Sequence, residues 1–275
     1  MSILQALVLG LLQGLTEFLP VSSSGHLILM QNLFGMSDVE QYVLFDLLLH
    51  LGTLLAVLIV FRKNIVDILL NRQVYILYIA VGVLALLPFY FVIDFLKSFY
   101  GSPMSLGFFF IVTAMVLLLG EISGKRERPE VRGRRSEDGG QRLEYKTVMF
   151  VHCVVISLTQ LLAILPGVSR SGITVSTARV LGWDADKAAE YSFLLSVPVI
   201  LMGVGYEVLA LVTGKTGNGN VSILACAAGF LLSFVTGIFA LKLFISLLKG
   251  GKFKYFIIYC LAIGSFCLVY FNLLG

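Results

Sequence analysis

Six stretches of this chain stay apolar for long enough to cross a bilayer, which removes most of the folds otherwise open to 275 residues. A hydrocarbon core about 30 Å thick takes roughly 17–25 apolar residues of helix. The runs near 44–61, 74–96, 103–120, 188–212, 221–248 and 254–274 reach that length. Lipid offers no partner to a bare backbone group, so each run is expected as a helix. Composition agrees, with 58% hydrophobic and 13% charged residues where a soluble domain averages about 25% charged. The expected class is an all-α integral membrane protein. A secreted chain with a cleaved leader fits poorly, because the first residues carry no basic cluster and the apolar runs continue to residue 274. Cys153, Cys226, Cys260 and Cys267 all lie inside apolar runs without metal-like spacing, and read as small buried hydrophobes.

Two more apolar segments break in the middle. Residues 3–34 are interrupted at Pro20–Gly25, within EFLPVSSSGH (17–26), and residues 147–182 at Pro166–Gly172, PGVSRSG. Arms of about 12–18 residues suit hairpins that enter and leave on one side. Irregular backbone at that depth is tolerated only where it is buried in protein or lines a wet cavity, so both breaks call for a function. A shift of 147 lays Gln13 on Gln160, Val21 on Val168, Ser22 on Ser169, Ser24 on Ser171 and Gly25 on Gly172. At a shift of 146, FDLLLHLG (45–52) covers YSFLLSVP (191–198). The expected plan is a repeat of one re-entrant hairpin plus three spans, occupying 1–123 and 147–275 around a charged loop at 124–146. Three spans is an odd number, so the second unit must be inverted, an arrangement familiar from transporters with broken helices.

Charge sets the orientation. The side opposite the mouth of the first hairpin collects Arg62, Lys63, Arg72, eight basic residues from Lys125 to Lys146, Lys187, Lys249, Lys252 and Lys254, against only Lys97 and Lys215 on the other. The positive-inside rule makes the basic side cytoplasmic and places both termini outside. The loop 124–146 mixes signs without hydrophobic periodicity and reads as solvated; its arginines are also suited to anionic lipid head groups.

The breaks carry the chemistry. Gln13 and Glu17 share one helix face, while Gly10 and Gly14 allow a close helix approach. Pro20 ends the first arm, and Ser22, Ser23 and Ser24 are natural caps for the next, with His26 in its first turn. The second break repeats the device with Arg170 at its mouth. Two helix N-termini meeting at mid-membrane form an anion receptor, and Arg170 adds a forked donor matched to phosphate. An arginine at that depth needs an anionic partner. Glu17 could serve as a purely structural ion pair, but that alternative leaves the serines, His26 and Gln13 without a role.

QGLTEFLPVSSSGH (13–26) and PGVSRSGIT (166–174) resemble the two signature stretches of the bacitracin-resistance family of undecaprenyl-diphosphatases: Glu/Gln-x-x-x-Glu followed by Ser-Ser/Thr-Gly-His, and Pro-Gly-x-Ser-Arg-Ser-x-x-Thr. The resemblance implies hydrolysis of undecaprenyl diphosphate to the monophosphate and phosphate in a bacterial plasma membrane. It further implies recycling of the lipid carrier of cell-wall synthesis, bacitracin resistance and a divalent-metal requirement. Under it, Gln13 and Glu17 are expected to hold Mg²⁺ or Ca²⁺. Ser22, Ser24, Gly167, Ser169, Arg170, Ser171, Gly172 and Thr174 are expected to cradle phosphate, and Glu17, Ser23, His26 and Arg170 to be catalytic. His26 would act as general acid or base, and either Ser23, activated by His26, or water would attack. The rival reading is a secondary transporter or flippase for a polyprenyl phosphate or another anion. Lipid substrate and bilayer are the expected partners, a membrane-buried homodimer is compatible, and nothing resembles a nucleic-acid surface. Asp46, His50 and His152 are set aside as structural, and Glu121, Glu190 and Glu207 receive no role. The aromatic clusters 89–91 and 108–110 suit lipid contact or a groove for a prenyl tail.

Overall fold

A computed structural model describes residues 1–36, 42–86, 103–124, 139–213 and 221–273. The described residues form α1 (Ile3–Thr16), α2 (Ser23–Leu33), α3 (Val43–Val60), α4 (Arg62–Leu70), α5 (Gln73–Leu84), α6 (Pro103–Gly124) and α7 (Gly139–Thr159). A 3-10 turn (Gln160–Ile164) follows, then α8 (Arg170–Val180), α9 (Ala185–Val212), α10 (Ile223–Lys249) and α11 (Lys254–Leu273). Among the described residues six helical segments are long and apolar enough to cross a membrane, so this is a multi-pass membrane protein. Five of the six, in α3, α6, α9, α10 and α11, match runs read from the sequence. The remaining run, 74–96, is described only as far as residue 86, by α5; α4 meets α5 at 106°.

The broken segments follow from local chemistry. With a rise of 1.5 Å per residue, the 14 residues of α1 cover about 21 Å and fall short of a bilayer. The α2 arm, at 11 residues, is shorter still. In the second segment the ascending arm is longer than expected. It begins at Gly139, inside the stretch read as loop, and with the 3-10 turn it supplies the sixth membrane-length segment, Thr147–Ile164. Gln141, Arg142, Leu143, Glu144 and Lys146 are good helix formers, which the absence of apolar periodicity concealed. The 89–91 aromatic cluster and the rest of the charged loop lie outside the described residues.

Small residues set the packing. A Cβ placed on Gly10 would lie 2.5 Å from the carbonyl oxygen of Gly229, so α1 and α10 touch backbone to backbone. Gly107 and Gly264 do the same for α6 and α11, with a virtual Cβ of one 2.7 Å from the carbonyl of the other. Besides these pairs, α10 packs on α3, α3 on α9, α5 on both α7 and α9, and α8 on α6. Leu118, Leu119, Phe239, Ile258 and Val269 are exposed on the outer faces, the distribution expected where the solvent is lipid. Inside, Phe18, Phe193 and Phe244 stack edge to face, with centroids 5.8 and 5.6 Å apart along the row. Phe18 is fully buried in this cluster and anchors the end of α1, beside Glu17.

Candidate active site

The two breaks meet. Pro20 cannot extend α1, and the chain turns until Ser22, which stands at φ 67°, the left-handed region that non-glycine residues avoid. Three contacts hold it there. The Ser22 hydroxyl accepts the N–H of Gly25 at 3.4 Å and that of Gly167 in the other hairpin at 3.1 Å, while its carbonyl accepts His26 Nδ1 at 2.6 Å. In the second break Leu165 is extended, as a residue before proline must be. Gly167 follows at φ +100°, and its carbonyl accepts the Thr113 hydroxyl at 2.8 Å. A Cβ on Gly25 would fall 2.8 Å from Gly167 Cα, so the breaks are in van der Waals contact. Ser169 caps α8, accepting the N–H of Gly172 at 3.1 Å, and its own N–H donates to Thr113 Oγ1 at 3.0 Å.

Glu17 is the hub. Buried at 8% exposure, its carboxylate accepts from Arg170 Nη2 at 2.8 Å, Ser23 Oγ at 2.6 Å and Gln13 Nε2 at 3.0 Å. Charge-assisted bonds of this length in a low-dielectric interior fix the carboxylate plane. Gln13 Oε1 remains buried without a hydrogen-bond partner. His50, set aside in the sequence reading, places Nε2 3.9 Å from Glu17 Oε2. Its Nδ1 donates to the Asp46 carbonyl at 2.8 Å, since a carbonyl only accepts.

His26 does something other than expected. Its Nδ1–H is committed to the Ser22 carbonyl, and Nε2 faces the Tyr259 hydroxyl at 2.7 Å. The ring stacks on Tyr259 with centroids 5.6 Å apart and meets Phe110 edge-on. Both nitrogens of the buried ring are thus occupied, and the Ser23 hydroxyl turns to Glu17. The anticipated Ser23–His26 pair does not form, because the ring folds back over its own helix cap.

A cavity of about 420 Å³ opens at this point, within the range of small-ligand pockets. Its polar lining is Glu17, Ser22, Ser23, Ser24, His50, Gln160, Ser169 and Arg170. The rest of its lining is mostly apolar, with Leu86, Leu161, Ile164 and the α9 residues Val199, Ile200, Met202 and Val204, joined by Tyr206. Of the anticipated phosphate ligands, Ser22, Ser24, Ser169 and Arg170 reach it. Ser171 instead donates to the Leu19 carbonyl at 3.2 Å. The Thr174 hydroxyl bonds the Arg170 carbonyl at 2.9 Å and Ser192 Oγ at 2.6 Å. Gly167 and Gly172 shape the breaks and do not line the cavity. The Ser171 hydroxyl is spent on joining the hairpins and that of Thr174 on tying α8 to α9, which spacing alone does not reveal. Thr113, Gln160 and Tyr259 are the polar residues to which the sequence reading gave no role; Thr113 and Tyr259 are isolated polar side chains in apolar runs, and Gln160 drew notice only as the repeat partner of Gln13. His152 accepts from Trp183 Nε1 at 3.0 Å, an interior histidine as read. Glu190 pairs with Arg72 at 2.8 Å, away from the cavity.

Comparison with known proteins adds a lineage to this geometry. Residues 6–266 match the family model described as bacitracin resistance protein BacA. The undecaprenyl-diphosphatase of Protochlamydia amoebophila is 37% identical over 274 residues, covering 99% of this chain and 100% of the relative. That of Carboxydothermus hydrogenoformans is 38% identical over 271 residues, covering 98% and 97%. With near-complete coverage in both directions and the paired signature stretches in contact, the chain belongs to the bacitracin resistance protein BacA family.

Proposed function

We propose that this protein is a membrane-embedded phosphatase that hydrolyses undecaprenyl diphosphate to undecaprenyl phosphate and inorganic phosphate, returning the lipid carrier to cell-wall synthesis. One observation carries the reading. The Glu17–Arg170 pair, at 2.8 Å, sits between two capped helix N-termini in a cavity that also has a largely apolar lining. A diphosphate head and a prenyl tail need that combination, and a transporter needs no serine hydrogen-bonded to a carboxylate. Backbone N–H groups in the first turns of α2 and α8, with the Arg170 fork, stabilise charge on the phosphoryl oxygens. Ser23 Oγ attacks the terminal phosphorus, its proton passes to Glu17 Oε2 at 2.6 Å, and the bond to the bridging oxygen breaks. Water then releases phosphate from Ser23. His26, tied to Ser22 and Tyr259, holds the strained cap in place.

A divalent cation belongs to the same proposal. Among the described residues no three His, Cys, Asp or Glu side chains cluster, so the protein alone offers a sparse site. The donors present are nonetheless oxygens suited to a hard cation: Glu17 and the unpartnered Gln13 Oε1. Mg²⁺ is commonly held by one or two carboxylates plus substrate phosphates, and these residues fit that pattern. When bound, such an ion neutralises phosphate charge. Purified protein in detergent is expected to release phosphate from undecaprenyl diphosphate, with chelation of divalent ions and Ser23→Ala each abolishing release. Activity at the wild-type rate in Ser23→Ala would hand the attack to water.

The inverted repeat rests on packing. The neighbours α1·α10 and α7·α5, α3·α10 and α9·α5, and the self-paired α6·α11 and α3·α9 are those that a two-fold relation between halves would generate. The same architecture supports the flippase alternative, which transfer of labelled undecaprenyl phosphate across liposomes tests directly. The basic-side count supports a cytoplasmic location for residues 125–138 and outward termini in a plasma membrane.

A further inference from the structure

We propose that Gln160 is a binding residue for the terminal phosphate of the substrate, its carboxamide N–H donating to a non-bridging phosphate oxygen. This deepens the phosphatase reading and rests on it. Gln160 is 5% exposed, and both its Oε1 and its Nε2 are buried without a hydrogen-bond partner. Among the described residues it is the only side chain with an unpartnered buried polar atom that also lines the cavity of Glu17, Ser23 and Arg170. Native interiors pair nearly all such groups, so an amide left with two vacancies beside a ligand cavity points to a ligand that fills them.

The contrast with the first hairpin explains why it is free. Gln13 and Gln160 occupy matching positions, 147 residues apart. Gln13 Nε2 is consumed by Glu17, four residues on, at 3.0 Å. The residue matching Glu17 in the second arm is Ile164, so this arm keeps the amide and lacks the carboxylate. The cavity therefore has an anionic arm, with Glu17, and a neutral arm whose donor meets no competing anion of its own. A phosphate oxygen approaches the neutral arm without repulsion from within it. Local structure fixes the backbone that carries the amide: Gln160 opens the 3-10 turn at which α7 leaves its α-helical register, and Thr159 Oγ1 pins that point to Ile156 O at 2.8 Å and Thr177 Oγ1 at 3.1 Å. The vacant acceptor suits a protonated phosphate oxygen or a water on it.

The test uses the full-length protein in detergent, farnesyl diphosphate as substrate and inorganic diphosphate as a binding probe. In Gln160→Leu, KM for farnesyl diphosphate should rise about tenfold or more, the loss expected for one hydrogen bond to a charged group. The Tm of the ligand-free variant should match or exceed that of wild type, because an amide without protein partners stabilises nothing. The Tm increase given by inorganic diphosphate should shrink. Gln160→Ala provides the same comparison if the leucine variant does not fold. A wild-type KM with a wild-type diphosphate shift overturns the assignment, as does a higher KM accompanied by a fall in ligand-free Tm, which would mean that the amide holds the protein together. A wild-type protein that leaves farnesyl and undecaprenyl diphosphates intact counts against the phosphatase reading, and the diphosphate shift then tests Gln160 alone.

Discussion

Glu17 and Arg170 illustrate how a pair of charges survives inside a membrane protein. Burying either charge alone there would be costly, and their 2.8 Å contact offsets part of that cost. Removing one partner strands the other, so Glu17→Ala or Arg170→Ala should destabilise the fold by about 3–5 kcal/mol. The double variant should recover part of that loss, because no lone charge remains; denaturant unfolding in detergent of the three proteins checks this. Arg170→Lys separates charge from geometry. It keeps the cation but loses the planar fork, and phosphate release should fall roughly 100-fold, the usual size of losing one preorganised donor to developing charge. Tyr259 acts at one remove. In Tyr259→Phe, His26 Nε2 loses its 2.7 Å partner, and the expected destabilisation is about 1 kcal/mol, with phosphate release still measurable.

At the scale of elements, the site exists because two helix breaks can touch. Gly25 and Gly167 make that contact possible, and Gly25→Ala would push a methyl to 2.7 Å from the Phe110 ring and 2.8 Å from Gly167 Cα. Separating the hairpins by even this much should cost about 1–3 kcal/mol and reduce phosphate release far more than melting temperature, since Glu17 and Arg170 stand on opposite sides of the junction. The close approach of α1 to α10 makes a contrasting case. Gly10→Val meets the Gly229 backbone at a distance from the cavity, so it should lower the melting temperature while leaving KM for the diphosphate near wild type. Measuring both quantities for both variants distinguishes a junction that shapes chemistry from one that only holds the bundle.

For the whole molecule, the arrangement answers a problem of solvent. A phosphate head group needs a polar, partly dry pocket, and its prenyl tail needs lipid. A cavity of about 420 Å³ lined by serines, Glu17 and Arg170 together with largely apolar α9 side chains supplies both. Orientation is open to a direct check. A reporter inserted among the basic residues 125–138 should respond as cytoplasmic, and one fused after residue 275 as extracytoplasmic; the opposite pair of results would reverse the proposed topology.

Periodicity and length determined the membrane class and most of the helices, because lipid leaves an apolar run of 20 residues almost no choice but to be helical. The breaks at Pro20 and Pro166 were equally legible, since proline, glycine and serine act through local sterics and capping. So was the need for Arg170 to find an anion, a matter of solvation energy alone. What needed three dimensions was the division of labour among polar groups. Ser23 turned to Glu17 and away from His26; Ser171 and Thr174 became fasteners; His50, Thr113, Gln160 and Tyr259 entered the site from helices distant in sequence. A hydroxyl or an amide takes whichever partner folding brings within hydrogen-bond reach, and that choice rests on tertiary packing that joins residues as far apart as His26 and Tyr259, 233 positions on, which no local pattern records.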